Sequence, residues 1–216
     1  MKRFLMVLGL AIVAVLGSVT YISLTEVREP TLVSARIYDA PRAIESFRLE
    51  GTAGRDVGLE DLQGQWTLLF TGYTFCPDIC PTTMAHLKSR WADLTEATDF
   101  PVQVWMISVD PQRDDIERLS MYVDFFGEGF LGVRAEHVDL YPFVRNIGLM
   151  YSIPDESETN YLVNHSSAII LVNPAGQQQA IFRAQHELGE MPVVNPHSLV
   201  QDFRDIVRYL EHIHSF

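Results

Sequence analysis

The stretch Trp66-Thr67-Leu68-Leu69-Phe70-Thr71-Gly72-Tyr73-Thr74-Phe75-Cys76-Pro77-Asp78-Ile79-Cys80-Pro81 decides how this chain is read. Its first six residues form a short, mostly apolar run, the pattern of a strand covered on both faces. Pro81 is a residue favoured in a first helical turn, and after it Met84, Leu87, Trp91 and Leu94 recur at helical spacing. Both cysteines of the chain, Cys76 and Cys80, sit at this strand-to-helix junction. In an α/β sheet that is the carboxyl end of a strand, where ligand sites gather. The partial positive charge of a helix N-terminus also lowers thiol pKa there.

On the N-terminal side, Ile44–Glu50 has extended character and Gly51-Thr52-Ala53-Gly54 turns the chain back. On the C-terminal side, Val102–Val109 reads as a second buried strand. Ile116, Leu119, Val123 and Phe126 mark a second helix, ended by Gly127. Ser167–Val172, the turn Asn173-Pro174-Ala175-Gly176 and Gln177–Phe182 read as a β-hairpin. Leu199, Phe203, Ile206, Leu210 and Ile213 make an amphipathic helix, with Asn195 as its N-cap and Pro196 at its first position. Strand, helix, strand, helix, hairpin and helix is an α/β layer order, and it is the order of the thioredoxin fold.

A length of 216 residues suits one well-buried domain plus an appendage. With 47% apolar and 20% charged residues, bulk disorder is excluded. A formal charge of −12 argues against nucleic acid, whose binding rests on Lys and Arg neutralising phosphates. Lys2 and Arg3 precede an uncharged apolar run from Phe4 to about Leu24, and roughly 20 such residues cross a bilayer as a helix. The two cations stay cytoplasmic, which places everything after Glu26 on the far side. The run is longer than a signal-peptide core and lacks a good small-x-small site, so an uncleaved anchor is expected. No Cys follows it for lipid attachment, and no Arg- and Ser-rich leader precedes it, which points to a bacterial envelope. The expected organisation is an anchor over 1–24, a linker over 25–42 holding Pro30 and Pro41, and a domain over 43–216.

Two chemistries suit the cysteine pair, thiol–disulfide exchange and metal binding. A bridge across so short a loop removes little unfolded-state entropy, so a purely stabilising disulfide is a poor explanation. Residues four apart on a helix have Cβ atoms about 5–6 Å apart, whereas a disulfide wants roughly 3.5–4.5 Å. Thiolates sharing a metal sit further apart, because each metal–sulfur bond adds about 2.3 Å. The spacing tilts toward metal without forbidding the disulfide. Of the seven histidines, His212 and His214 lie late in the last helix, His197 at its start, and His137 in a polar connection. His86 follows Cys80 on the same helix and can point either way. His165, in Asn164-His165-Ser166-Ser167, immediately precedes an apolar strand at the ligand-binding end of the sheet. It is the candidate third ligand, against the alternative of an ordinary loop histidine.

The segment Phe70–Thr83 resembles the signature of the Sco (SenC) copper proteins. Gly64–Phe70, Ser108-Val109-Asp110-Pro111-Gln112-Arg113-Asp114, and His165-Ser166 leading into Ile169–Gly176 agree in the same order, so the likeness covers roughly residues 43–213. The resemblance implies a thioredoxin-like domain in the bacterial periplasm or the mitochondrial intermembrane space, and the N-terminal reading selects the bacterial inner membrane with the domain in the periplasm. It implies one Cu(I) or Cu(II) held by Cys76, Cys80 and His165. It also implies copper delivery to the dinuclear centre of the cytochrome c oxidase copper-binding subunit, with a periplasmic copper donor upstream. Soft thiolates suit Cu(I), and an imidazole is acceptable to both oxidation states. Asp110 matches an acidic family position near the metal loop, where it tunes the site or contacts a partner, against the alternative of capping the segment that follows. Asn164 stands where the family usually has Asp, and Gly132-Val133-Arg134-Ala135 replaces a Gly-Leu-Thr-Gly turn. The rival function is a thiol–disulfide oxidoreductase that reduces the client's copper-ligand cysteines. A thiol peroxidase is a weaker third, because its cysteine needs a cation nearby and no Lys or Arg lies between Arg55 and Lys88.

Overall fold

The computed structural model describes residues 29–152, 161–184 and 191–213. In chain order the elements are β1 (Ala35–Arg42), β2 (Arg48–Gly51), β3 (Arg55–Gly58), β4 (Trp66–Gly72), α1 (Ile79–Ser89), α2 (Trp91–Thr95) and β5 (Val102–Ser108). There follow α3 (Ile116–Asp124), β6 (Phe130–Arg134), α4 (His137–Asn146), β7 (Ile169–Val172), β8 (Gln178–Phe182) and α5 (Pro196–Ile213). The strands form one mixed sheet in the order β1-β8-β7-β4-β5-β6-β2-β3. β4, β5 and β6 run parallel, and every other neighbour pair is antiparallel. This is the thioredoxin-like α/β arrangement to which the element order points.

All seven residues of β4 are buried, as its unbroken apolar pattern requires. The strand's alternation sorts them between two cores. Trp66, Leu68 and Phe70 join Val104, Met106 and Leu171 under α1, α3 and α5. Leu69 joins Trp105, Ile107, Ile170 and Val172 under α4. Each large side chain so buried contributes about 1.5–3 kcal/mol. The helix expected from Met84 to Leu94 is broken at Arg90 (φ −113°, ψ 13°) into α1 and α2, while Met84, Leu87 and Leu94 all remain buried. The last helix is capped as its sequence predicts, with Oδ1 of Asn195 accepting the N–H of His197 at 2.9 Å.

Two elements lack a clear local signal. β6 contains Gly132, where a Cβ would lie 2.5 Å from Cγ of Leu119, so α3 packs onto bare backbone there. The helix α4 contains Pro142, a residue that ordinarily argues against a helix interior. His137 therefore opens a helix instead of lying in a polar connection. The stretch expected as linker also holds structured chain, since from Ala35 it is the edge strand β1, paired with β8. Its entry is held by Asp202 of α5, whose buried carboxylate accepts the backbone N–H groups of Val33, Ser34 and Ala35 and the Ser34 hydroxyl. The anchor expected over 1–24 lies outside the described residues, and no described helix is long and apolar enough to cross a membrane.

Candidate metal centre

Strand register assembles the site. β7 runs antiparallel to β4, with Leu69 opposite Ile170 and Thr67 opposite Val172. Residues just before β7 therefore lie beside the carboxyl end of β4, where the cysteine turn begins. The Thr71 hydroxyl donates to the Ser166 carbonyl at 3.0 Å across that gap. A bridge between Tyr151 and His165 holds the loop from its other side. Its hydrogen bonds run from Ser152 N–H to Asn164 O (2.8 Å) and from Ser166 N–H to Met150 O (2.9 Å).

Cys76, Cys80 and His165 are thereby brought together, with their ligand atoms all within 4.8 Å of one another. Cys80 Sγ lies 3.5 Å from His165 Nε2. Ligands 2.0–2.3 Å from one ion stand roughly 3.5–4 Å apart, so small side-chain adjustments suffice to close a three-coordinate site. The imidazole is already oriented for this. Its Nδ1 lies 3.0 Å from the Ser166 carbonyl and 3.4 Å from the Thr71 hydroxyl oxygen. A carbonyl only accepts, so Nδ1 carries the proton, and a neutral ring directs the bare lone pair of Nε2 at the sulfurs. The donor set fits copper, being two soft sulfurs and one imidazole nitrogen.

The two thiols are not equivalent. Cys76 is partly exposed, on the turn closed by its own N–H to the Tyr73 carbonyl (3.1 Å). Cys80 is 1% exposed in the first turn of α1, and its N–H donates to the Cys76 sulfur at 3.5 Å. A hydrogen bond from the Cys80 thiol is the largest influence pulling the Cys76 pKa down to about 3. Burial acts the other way, and the backbone N–H groups of Cys80 and Asp78 add to the lowering. The Cys80 thiol moves up, because it keeps its proton while donating a hydrogen bond to the Cys76 sulfur, and because it is buried. The pair thus carries its first negative charge on Cys76. Gly72 ends β4 beside them, where a Cβ would lie 3.1 Å from Cys80 Sγ.

The other described histidines stand apart from this cluster. His137 Nδ1 lies 2.8 Å from the Tyr151 hydroxyl, and His197 is exposed at the start of α5. His86 lies on α1 with its Nδ1 buried and, among the described residues, not hydrogen-bonded. His186 and His214, and the side chain of His212, lie outside the described residues. Asp110 does not cap with its side chain. Its buried carboxylate accepts Arg113 Nε at 2.5 Å and the Tyr161 hydroxyl at 2.7 Å. Asp114, which sequence reasoning did not single out, accepts the Thr74 N–H (2.9 Å) and the hydroxyls of Thr74 (2.5 Å) and Ser108 (2.6 Å). It ties the cysteine turn to the end of β5. Thr71 and Tyr73 were also missed. Tyr73 stands edge-on to His165 at 5.8 Å, and its hydroxyl oxygen accepts the Val163 N–H at 3.3 Å. The available signal for these residues was their position inside the stretches that carry the family resemblance.

Comparison with known proteins identifies the family. The family model described as SCO1/SenC matches residues 36–193. A protein of Stutzerimonas stutzeri named "Putative copper-binding protein" is 32% identical over 201 residues, which is 92% of this chain and 95% of that one. The mitochondrial SCO2 homolog of Mus musculus is 39% identical over 118 residues, 54% of this chain and 46% of that one, so the chain spans about half of that relative's length. Arabidopsis thaliana ScoI, whose crystal structure was solved with copper bound, superposes with a TM-score of 0.67 at 28% identity, covering 77% of this chain and 99% of that one. With the family model matching well over half of its residues, the chain belongs to the SCO1/SenC family.

Proposed function

We propose that this protein is a copper carrier for cytochrome c oxidase assembly, holding one copper ion through Cys76, Cys80 and His165. The observation that carries the reading is the meeting of two sulfurs with an imidazole nitrogen whose Nδ1 is engaged by the Ser166 carbonyl. Copper is cargo in this scheme. The reduced pair accepts it from a periplasmic donor, and stepwise ligand exchange passes it to the oxidase subunit that carries the dinuclear centre. Cys76, the partly exposed ligand, is the one an acceptor thiolate reaches first. Residues 1–24 anchor the protein in the inner membrane with the domain in the periplasm. Copper in the Arabidopsis relative and the family membership support the reading.

One observation favours a second reading, that of a thiol–disulfide oxidoreductase acting on the client's cysteines. An accessible, readily ionised Cys76 next to a buried, proton-holding Cys80 is a nucleophile with its resolving thiol. Replacing His165 by Ala separates the two roles. The carrier reading expects loss of tight copper binding and of oxidase assembly in cells, with disulfide exchange nearly intact. Assembly that survives His165→Ala refutes the carrier and leaves the reductase.

A further inference from the structure

Arg113 is not among the proposed ligands, yet its guanidinium touches both segments that carry them. Its central carbon lies 3.6 Å from the centroid of the Tyr161 ring, 5.0 Å from that of Phe75 and 5.7 Å from that of Tyr73. Phe75 precedes Cys76, and Tyr161 lies four residues before His165. Asp110 holds the guanidinium in place. Its carboxylate, on a residue 1% exposed, accepts Arg113 Nε through one oxygen and the Tyr161 hydroxyl through the other. Tyr73 completes the link through its edge-on contact with His165. Nη2 of Arg113 is buried with no hydrogen-bond partner among the described residues; stacking and the Asp110 pair hold this side chain.

We propose that Arg113 is a positioning residue of the metal centre: it clamps the Tyr161–His165 segment against the Tyr73–Cys76 turn and so sets how well His165 reaches a metal held by the sulfurs. A planar guanidinium can lie on an aromatic face while donating in its own plane to a carboxylate, which an ammonium cannot do. The inference rests on the copper-carrier reading. Two soft thiolates hold Cu(I) largely without help, whereas Cu(II) depends on the imidazole. Loosening the clamp therefore weakens Cu(II) selectively.

The test is titration of the reduced protein with Cu(I) and with Cu(II) in Arg113→Lys, in His165→Ala and in the double variant. Arg113→Lys should lower Cu(II) affinity roughly 10- to 100-fold, the usual cost of losing a supporting outer contact at a metal site. Cu(I) affinity should move far less. On the His165→Ala background, Arg113→Lys should add no further loss of Cu(II) affinity, because the clamp acts through that ring. Tyr161→Leu removes the stack from its other side and should reproduce the selective loss, which covers the case of an unfolded Arg113 variant. Equal losses for both oxidation states, no loss, or an undiminished effect without His165 would each overturn the inference. A wild-type protein that binds no copper refutes the carrier reading itself. One that binds through His165 without coupling to Arg113 refutes only the clamp.

Discussion

Cys80 Sγ and His165 Nε2 stand 3.5 Å apart although 85 positions separate the two residues in the chain. The contact needs no rearrangement of the backbone, because the β4–β7 register has already brought the two loops together. His165→Ala should accordingly leave the fold intact, with an unfolding midpoint close to that of the wild type. Its Cu(II) affinity should fall by more than the roughly 10- to 100-fold expected for an outer partner. Loss of the sulfur-to-copper charge-transfer band, read against an unchanged urea midpoint, checks both halves.

Gly72 is under a different constraint. A Cβ there would stand 3.1 Å from Cys80 Sγ and 3.3 Å from Cε of Met106. The methionine can swing aside, but the sulfur is set by the first turn of α1. Gly72→Ala should destabilise the protein by about 1–3 kcal/mol, as overpacking of a core does. It should also weaken copper binding by displacing Cys80. Chemical denaturation measures the first effect and metal titration the second; an unchanged copper affinity would refute the displacement.

Asp114 makes stability depend on pH. Burial raises its pKa above the usual carboxylate value, against the hydrogen bonds from Ser108 and Thr74. A carboxyl whose pKa is higher folded than unfolded favours the native state only while protonated, so its contribution fades as pH rises through the folded value. Asp114→Asn has no such proton to lose. Its amide can replace one carboxylate oxygen by donating to Thr74 Oγ1, while the remaining oxygen accepts the Thr74 N–H and the Ser108 hydroxyl. The stability of Asp114→Asn relative to wild type should therefore increase from about pH 4 upward, the unfolded Asp value, and level off above the folded pKa. Urea midpoints across that range test the sign, and a gap that narrows with pH would refute it.

Asp202 ties residues 33–35 to α5. Its carboxylate, fully buried, accepts four donors from Val33, Ser34 and Ala35. A chain starting at Ala43 lacks all of them and leaves a charged group buried without its partners. It should be less stable by several kcal/mol, since an unsatisfied buried polar group costs about 1–3 kcal/mol and a charged one more. A chain starting at residue 29 keeps all four donors and should be the more stable of the two. Thermal unfolding of the two truncated proteins decides the matter.

Local pattern in the sequence was enough to place the strand-to-helix junction at Cys76–Cys80, the β7–β8 hairpin and the capped last helix. Alternation of period two, helical spacing and Pro or Asn at a helix start are properties of neighbouring residues. The same pattern was silent for β6 and α4, because Gly132 answers to Leu119 of α3 packed against it and Pro142 interrupts the ordinary pattern of a helix. Periodicity says that a residue is buried but not which strand lies beside it. The pairing of β7 with β4 carries His165 to the sulfurs, and β5 beside β4 carries Asp110, Arg113 and Asp114 to the cysteine turn. The cysteine spacing alone left metal binding and disulfide exchange both open. The tertiary structure supplied the imidazole that bears on that choice, because only folding brings a nitrogen lone pair to two sulfurs from a loop 85 residues along the chain.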